Sequence, residues 1–395
     1  MRPLLLKLHR YFGLAAAAFL FAAGGSGALI AWHEELDAWL NPGFFHARTQ
    51  GTPLPAAELI RRVEAADPRI SVRYLPLTTR PGDSLIVQLD ARINPADGRP
   101  YRPGYDQVAL DPVSGAVLGK RLWGEVAMGR EHLIPLLYRL HYTLLLPVRH
   151  GVDLGVWLMG LIAIGWLFDS IVSLCLAFPS PRSWRKSFAL RWREGGYRLL
   201  FDLHRSGGVW LWGVLTLLAL TSVAMNLREE VVRPVLSLFS TPTPSPLRQR
   251  GQAPSTASVL PPERILALAA ASARLDRIAD PAGGLYIARA QNLYGVGFFP
   301  TGEPAAGMGA TWLYFNAASG AVLGAEGPGR GNRGDRFLQA MFPLHSGRLF
   351  GLAGRVAISL TGVAVAILSA SGVLIWLKKR RARQRSARRR MENAA

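Results

Sequence analysis

Residues 8–32 read LHRYFGLAAAAFLFAAGGSGALIAW. After one histidine and one arginine, the run carries no further charge and is apolar or small on every face. About 20 such residues cover the hydrocarbon core of a bilayer, and a helix apolar all round belongs there rather than in a soluble core. Two further stretches, 152–178 and 209–227, have the same character, and a fourth covers 349–377 with one arginine near its start. Hydrophobic residues make up 50% of the 395 and charged residues 18%, with a mean hydropathy of +0.17, which also points to a membrane. The sequence therefore predicts four transmembrane helices.

The net charge of +20 would suit a nucleic-acid partner if it were spread over one soluble face, but it is clustered. Arg2, Lys7 and Arg10 open the first span. Arg182, Arg185, Lys186, Arg191, Arg193, Arg198 and Arg205 lie between the second and third, and residues 378–390 follow the fourth. With alternating spans all three clusters share one side, which the excess of Lys and Arg makes cytoplasmic. Membrane lipid, and no nucleic acid, is the expected partner of these charges. Segments 34–149 and 228–348 then lie outside. Neither contains cysteine, and Cys175, the only one, falls in the second span, so no disulfide framework is expected. The basic start resembles a signal peptide, but the apolar run is too long and Ala31-Trp32-His33-Glu34 is no small-residue cleavage site, so an uncleaved anchor is expected.

Self-comparison reveals a repeat of roughly two hundred residues. Leu8-His9-Arg10 before the first span answers to Leu203-His204-Arg205 before the third, and His33-Glu34-Glu35-Leu36 to Arg228-Glu229-Glu230-Val231. Ser114-Gly115-Ala116-Val117-Leu118-Gly119 recurs letter for letter at 319–324, and Leu140-His141 answers to Leu344-His345. Each unit reads helix, outer segment, helix, and both insert in the same orientation, which implies a pseudo-twofold axis along the membrane normal. The outer segments share a grammar: an amphipathic helix over 55–66 or 262–273, a strand over 84–89 in the first, and a hairpin over 107–119 or 312–323. Pro- and Gly-rich linkers, expected to be mobile, cover 241–252 and 324–334.

Placement of the eight histidines carries the chemistry. His9 and His204 sit at the basic ends of the first and third spans; His33, His141, His150 and His345 at outer ends; His46 and His132 in loop sequence. His9 and His33 are 24 residues apart, about 36 Å of helix, so one metal centre cannot use both, whereas two centres at different depths can. Ionisable residues at membrane depth usually face a bundle interior with a partner, and neutral imidazoles from facing helices suit haem iron. Pairing across the axis puts His9 with His204 on an inner haem b and His141 with His345 on an outer one, with His33 as a substitute axial ligand. Arg10, Arg205, Arg348 and Arg355 lie where haem propionates would need cations. The bland alternative is that these residues anchor helix ends among headgroups; for His46, His132 and His150 that alternative is preferred. The small residues of 22–27 and 369–372 would admit a flat macrocycle or simply another helix. Asp169, the one acid within a span, reads as a proton relay or a satisfied polar contact. No Cys-x-x-Cys-His occurs, so covalently attached haem is not expected.

Leu8-His9-Arg10-x-x-Gly13, Gly27-Ala28-Leu29 running into His33-Glu34-Glu35-Leu36, and Leu344-His345-Ser346-Gly347-Arg348 with Gly372-Val373-Leu374-Ile375-Trp376 resemble the bacterial PepSY-associated transmembrane family. The hairpins at 111–119 and 316–324 look like the ends of two PepSY domains. The resemblance implies an α-helical membrane protein of the bacterial inner membrane, with four transmembrane helices in two parallel repeats and two periplasmic α+β PepSY-like domains. The units would be helix 1 (1–33), domain 1 (34–135), lead-in and helix 2 (136–178), a cytoplasmic basic loop (179–203), helix 3 (204–228), domain 2 (229–340), helix 4 (341–378) and a basic tail (379–395). It also implies an oxidoreductase with two haem b that reduces Fe(III) in a ferric siderophore during iron uptake. No NAD- or flavin-binding sequence is present, so electrons would come from a cytoplasmic reductase or from quinol. Two departures are Arg228, where a fourth outer histidine could stand, and Pro147-Val148-Arg149-His150, which blurs the start of helix 2. The competing expectation is a haem-free PepSY scaffold or sensor that binds peptides or regulates proteases.

Overall fold

A computed structural model describes residues 1–248, 259–303 and 306–393. Its four longest helices are α1 (Arg2–Ile30), α5 (Leu154–Ala177), α6 (Gly196–Asn226) and α9 (Gly351–Glu392), each long and apolar enough to cross a membrane. Shorter helices include α2 (His33–Leu40), α3 (Ala56–Ala66), α4 (Arg130–Thr143), α7 (Pro262–Leu275) and α8 (Arg333–Ser346). The spans form a closed square in which α1 touches α5 and α9, and α6 touches the same two. Helix α9 runs on without a break through the basic run to Glu392.

Small residues set the close approaches. A side chain on Gly24 would meet the Gly362 carbonyl at 2.6 Å, so α1 and α9 cross nearly backbone to backbone. One on Gly165 of α5 would collide with Phe12 of α1, and one on Gly160 with Leu227 just beyond α6.

The two outer segments meet edge to edge. Their strands β1 (Ile70–Pro76), β2 (Leu85–Ala91), β3 (Gln107–Leu110) and β4 (Val117–Arg121) join β7 (Ala282–Ala288), β8 (Leu293–Phe298), β9 (Thr311–Asn316) and β10 (Val322–Glu326) in one eight-stranded antiparallel sheet, ordered β10-β9-β8-β7-β1-β2-β3-β4. The seam pairs Tyr74 with Tyr286, Leu75 with Leu285 and Pro76 with Gly284. Alternate residues of a strand face one side: Leu85, Val87 and Leu89 of β2, with Leu285 and Ile287 of β7, pack under Leu59, Ile60 and Val63 of α3 and Ile265 and Ala269 of α7 in one core. Across the seam, Arg289 donates to the Val72 carbonyl at 2.9 Å and to Glu64 at 2.7 Å.

In the outer segments the predicted amphipathic helices, strand and hairpins appear with shifts of a few residues at most, while β1, β7 and β8 are additional; the spans reach further than expected, α6 starting at Gly196 and α9 ending at Glu392. The hairpin turns are twins. The Asp111 carboxylate accepts from the Val113 and Ser114 amides, the Asn316 side chain accepts from those of Ala318 and Ser319, and Gly115 and Gly320 take positive φ at +71° and +73°. The sheet is tied to the bundle by a buried pair, Arg121 of β4 on Asp37 of α2 at 2.8 Å, with Asn41 donating to the same carboxylate. Of the two proline- and glycine-rich linkers, residues 249–252 lie outside the described residues, and Val322–Glu326 at the start of the second is β10.

Candidate functional site

Two histidine pairs lie at opposite depths of the bundle. His9 of α1 and His204 of α6 face each other near the basic end, with ring centroids 6.1 Å apart and planes inclined at 54°. His141 of α4 and His345 of α8 form the second pair near the sheet, also at 6.1 Å, inclined at 58°. The latter two do not sit on the spans. They lie at the ends of short helices that dip against the bundle, α4 against α1 and α8 against α6. Each short helix ends in a turn that sends the chain into its span: α4 closes on Leu144 in the left-handed region, and α8 on Gly347. A two-strand hairpin, β5 (Val148–Arg149) with β6 (Val152–Asp153), occupies the stretch before α5 and leaves His150 exposed in its turn.

Every paired histidine has its Nδ1 held. His9 donates to both oxygens of Asp169 at 3.0 and 2.9 Å. His204 donates to the Leu368 carbonyl and Ser371 Oγ, both at 3.0 Å. His141 donates to the Ala23 carbonyl at 2.9 Å, with Ser26 Oγ at 3.3 Å, and His345 to Thr221 Oγ1 at 2.9 Å. This leaves Nε2 of each ring as the nitrogen for a metal. Glycine makes room for two of the rings: a side chain at Gly27 would stand 2.9 Å from His141 Cε1, and one at Gly372 would stand 3.1 Å from His204 Cε1. One turn along from His9 and His204, Gly13 and Gly208 face open space.

The spacing within each pair suits a metal held between two imidazoles. A nitrogen–metal bond of about 2 Å on either side, plus roughly 1 Å from each nitrogen to its ring centre, adds to about 6 Å. Among the described residues no three His, Cys, Asp or Glu side chains gather as a metal site. Two imidazoles alone leave a bare ion short of donors, whereas a porphyrin brings four nitrogens of its own. The depths differ by about 25 Å, since α6 carries His204 and, 17 residues on, the Thr221 that holds His345.

The remaining candidates divide. Arg10 and Arg205, each next to an inner histidine, have a buried Nε without a hydrogen-bond partner; Arg205 also donates to Asp202 and to the Lys186 carbonyl. Arg348 is taken up by Glu34 at 2.9 Å, and Arg355 by Glu35 and the Ala31 carbonyl. His33 stands apart from both pairs: its Nδ1 is 3.0 Å from the Ile30 carbonyl and its ring packs edge-on against Tyr138, while His345 faces His141. His46 and His132 stand by carboxylates of the outer segment, Asp83 and Glu125. Residues 22–27 and 369–372, noticed in the sequence for their smallness, supply Ser26, Gly27, Ser371 and Gly372 to the pairs. Thr221 escaped notice, its only signal being a hydroxyl in an apolar run, and the role of Asp169 needed the geometry.

A search of curated proteins returns no match. The model for the PepSY-associated TM region matches residues 6–379, nearly the whole chain. With four apolar helices and a large antiparallel sheet domain, the chain is a multi-pass membrane protein belonging to the PepSY-associated transmembrane family.

Proposed function

We propose that this protein carries electrons across the bacterial inner membrane and delivers them one at a time to Fe(III) in a siderophore on the sheet side, releasing Fe(II) for uptake. The observation that carries this reading is the pair of facing histidine pairs, each with Nδ1 held and each at iron-spanning separation. Two b-type haems, one per pair, would supply the one-electron carriers. His9 and His204 would hold the inner one and His141 and His345 the outer, with Arg10 and Arg205 offering donors to inner carboxylates.

The chain's own contribution is orientation and insulation. Hydrogen bonds at Nδ1 fix each ring and its tautomer, and the glycines at 27 and 372 let a second helix pack directly on the ring. The basic clusters favour an inward-facing basic end and a periplasmic sheet, so electrons would enter from a cytoplasmic reductase or quinol beside His9 and leave beside His345. Matching elements in mirrored order across the β1–β7 seam favour two parallel repeats. A haem-free scaffold would have no use for four imidazoles held in this way.

Purified in detergent after expression with ample haem, the protein is expected to show the spectrum of six-coordinate bis-histidine haem at two haems per chain. His9→Ala or His204→Ala should remove one, and His141→Ala or His345→Ala the other. A colourless parent protein would sink the reading.

A further inference from the structure

Three of the four paired histidines donate Nδ1 to a neutral acceptor: a carbonyl and a serine hydroxyl for His204 and for His141, a threonine hydroxyl for His345. Only His9 donates to a carboxylate, and it reaches both oxygens of Asp169. We infer that Asp169 is a positioning residue that sets the reduction potential of the inner site below that of the outer site, so that electrons run downhill from the basic end toward the sheet. This inference rests on the two-haem reading.

A carboxylate behind an imidazole draws on the Nδ1 proton and makes Nε2 a stronger donor, which favours the more oxidised, more positive metal. The effect is large where charge is poorly screened, and the Asp169 side chain is only 13% exposed within the bundle. Among the described residues Asp169 forms no ion pair with an arginine or lysine that would cancel its charge; the nearest acid to Arg205 is Asp202, which Arg191 also engages. The approach is built in, because Gly165, one turn before Asp169, admits Phe12, which lies three residues beyond His9. The outer pair has no counterpart, Thr221 standing where a carboxylate would be needed. No covalent bond is made or broken: one electron leaves the inner site as one arrives at the outer, and the Nδ1 proton stays in its hydrogen bond.

The test is a spectroelectrochemical titration of the haem-loaded full chain. In the parent, the component that His204→Ala removes should titrate at the lower potential; the reverse order would overturn the inference. Asp169→Asn should raise that component alone, with two haems retained, and Asp169→Glu should restore most of the difference. An unmoved inner potential in Asp169→Asn would overturn it, and so would loss of the inner haem in both variants, since Asp169 would then hold the site together instead of poising it. Absence of haem from the parent would instead refute the underlying reading, a result distinct from each of these.

Discussion

At the scale of single residues, room matters as much as the donor atoms. Gly27 is tested by adding volume: Gly27→Val has nowhere to place its branches except against the His141 ring. It should displace that ring, cost about 1–3 kcal/mol, and lower haem content from two to one while the inner component keeps its spectrum. Asp111 makes a different demand. Burial pushes its carboxyl up, but hydrogen bonds from Ser114, Thr49 and Val113 outweigh that and hold it down at about 2. A carboxylate depressed in the folded state contributes stability that is complete above its ordinary value of about 3.9 and lost as pH falls through the folded one. The sheet should therefore lose melting temperature between about pH 4 and pH 2, and Asp111→Ala, costing about 1–3 kcal/mol, should show a flatter profile over that window. Both effects are readable by circular dichroism on the detergent-solubilised protein.

At the scale of elements, the seam is the most consequential join. Strand β1 alone would leave an open edge facing β7, and neither four-stranded half would be closed on that side. Leu75 and Leu285 stand opposite each other there, 1% and 0% exposed. Leu285→Ala should cost about 2–5 kcal/mol and destabilise both outer segments together, giving one cooperative transition in hydrogen exchange across 70–121 and 282–326. Separate transitions for the two segments would mean the seam is not a structural unit. The short helices α4 and α8 are the other element-scale device: a polar end carrying histidine is brought to the bundle while the chain still has a turn left in which to enter its span.

At the scale of the whole molecule, the basic residues of α1, of the 179–203 connection and of α9 gather at one end, and the sheet caps the other. The proposed orientation is testable with single cysteines in a background where Cys175 is replaced by Ser. In right-side-out vesicles an impermeant maleimide should label Asp97→Cys in the sheet domain, and should reach Ser386→Cys in α9 only after the membrane is opened. The reverse pattern would invert the direction of electron flow proposed above.

The sequence alone determined the four spans, the amphipathic helices, the two hairpins and the pairing of His9 with His204 and His141 with His345. These rest on local periodicity, on turn chemistry and on self-similarity, all of which are written along the chain. Tertiary structure decided the rest: the joining of both outer segments in one sheet, the placing of His33 against Ile30 and Tyr138, and the contacts of Asp169 and Thr221 with the rings. The physical reason is that edge strands choose partners by long-range packing, and that a hydrogen bond between residues 160 positions apart, as between His9 and Asp169, depends on which helix faces which. Apolar composition puts a helix in the membrane, but small residues such as Gly165 and Gly24, and the neighbours they admit, determine which side chains meet there.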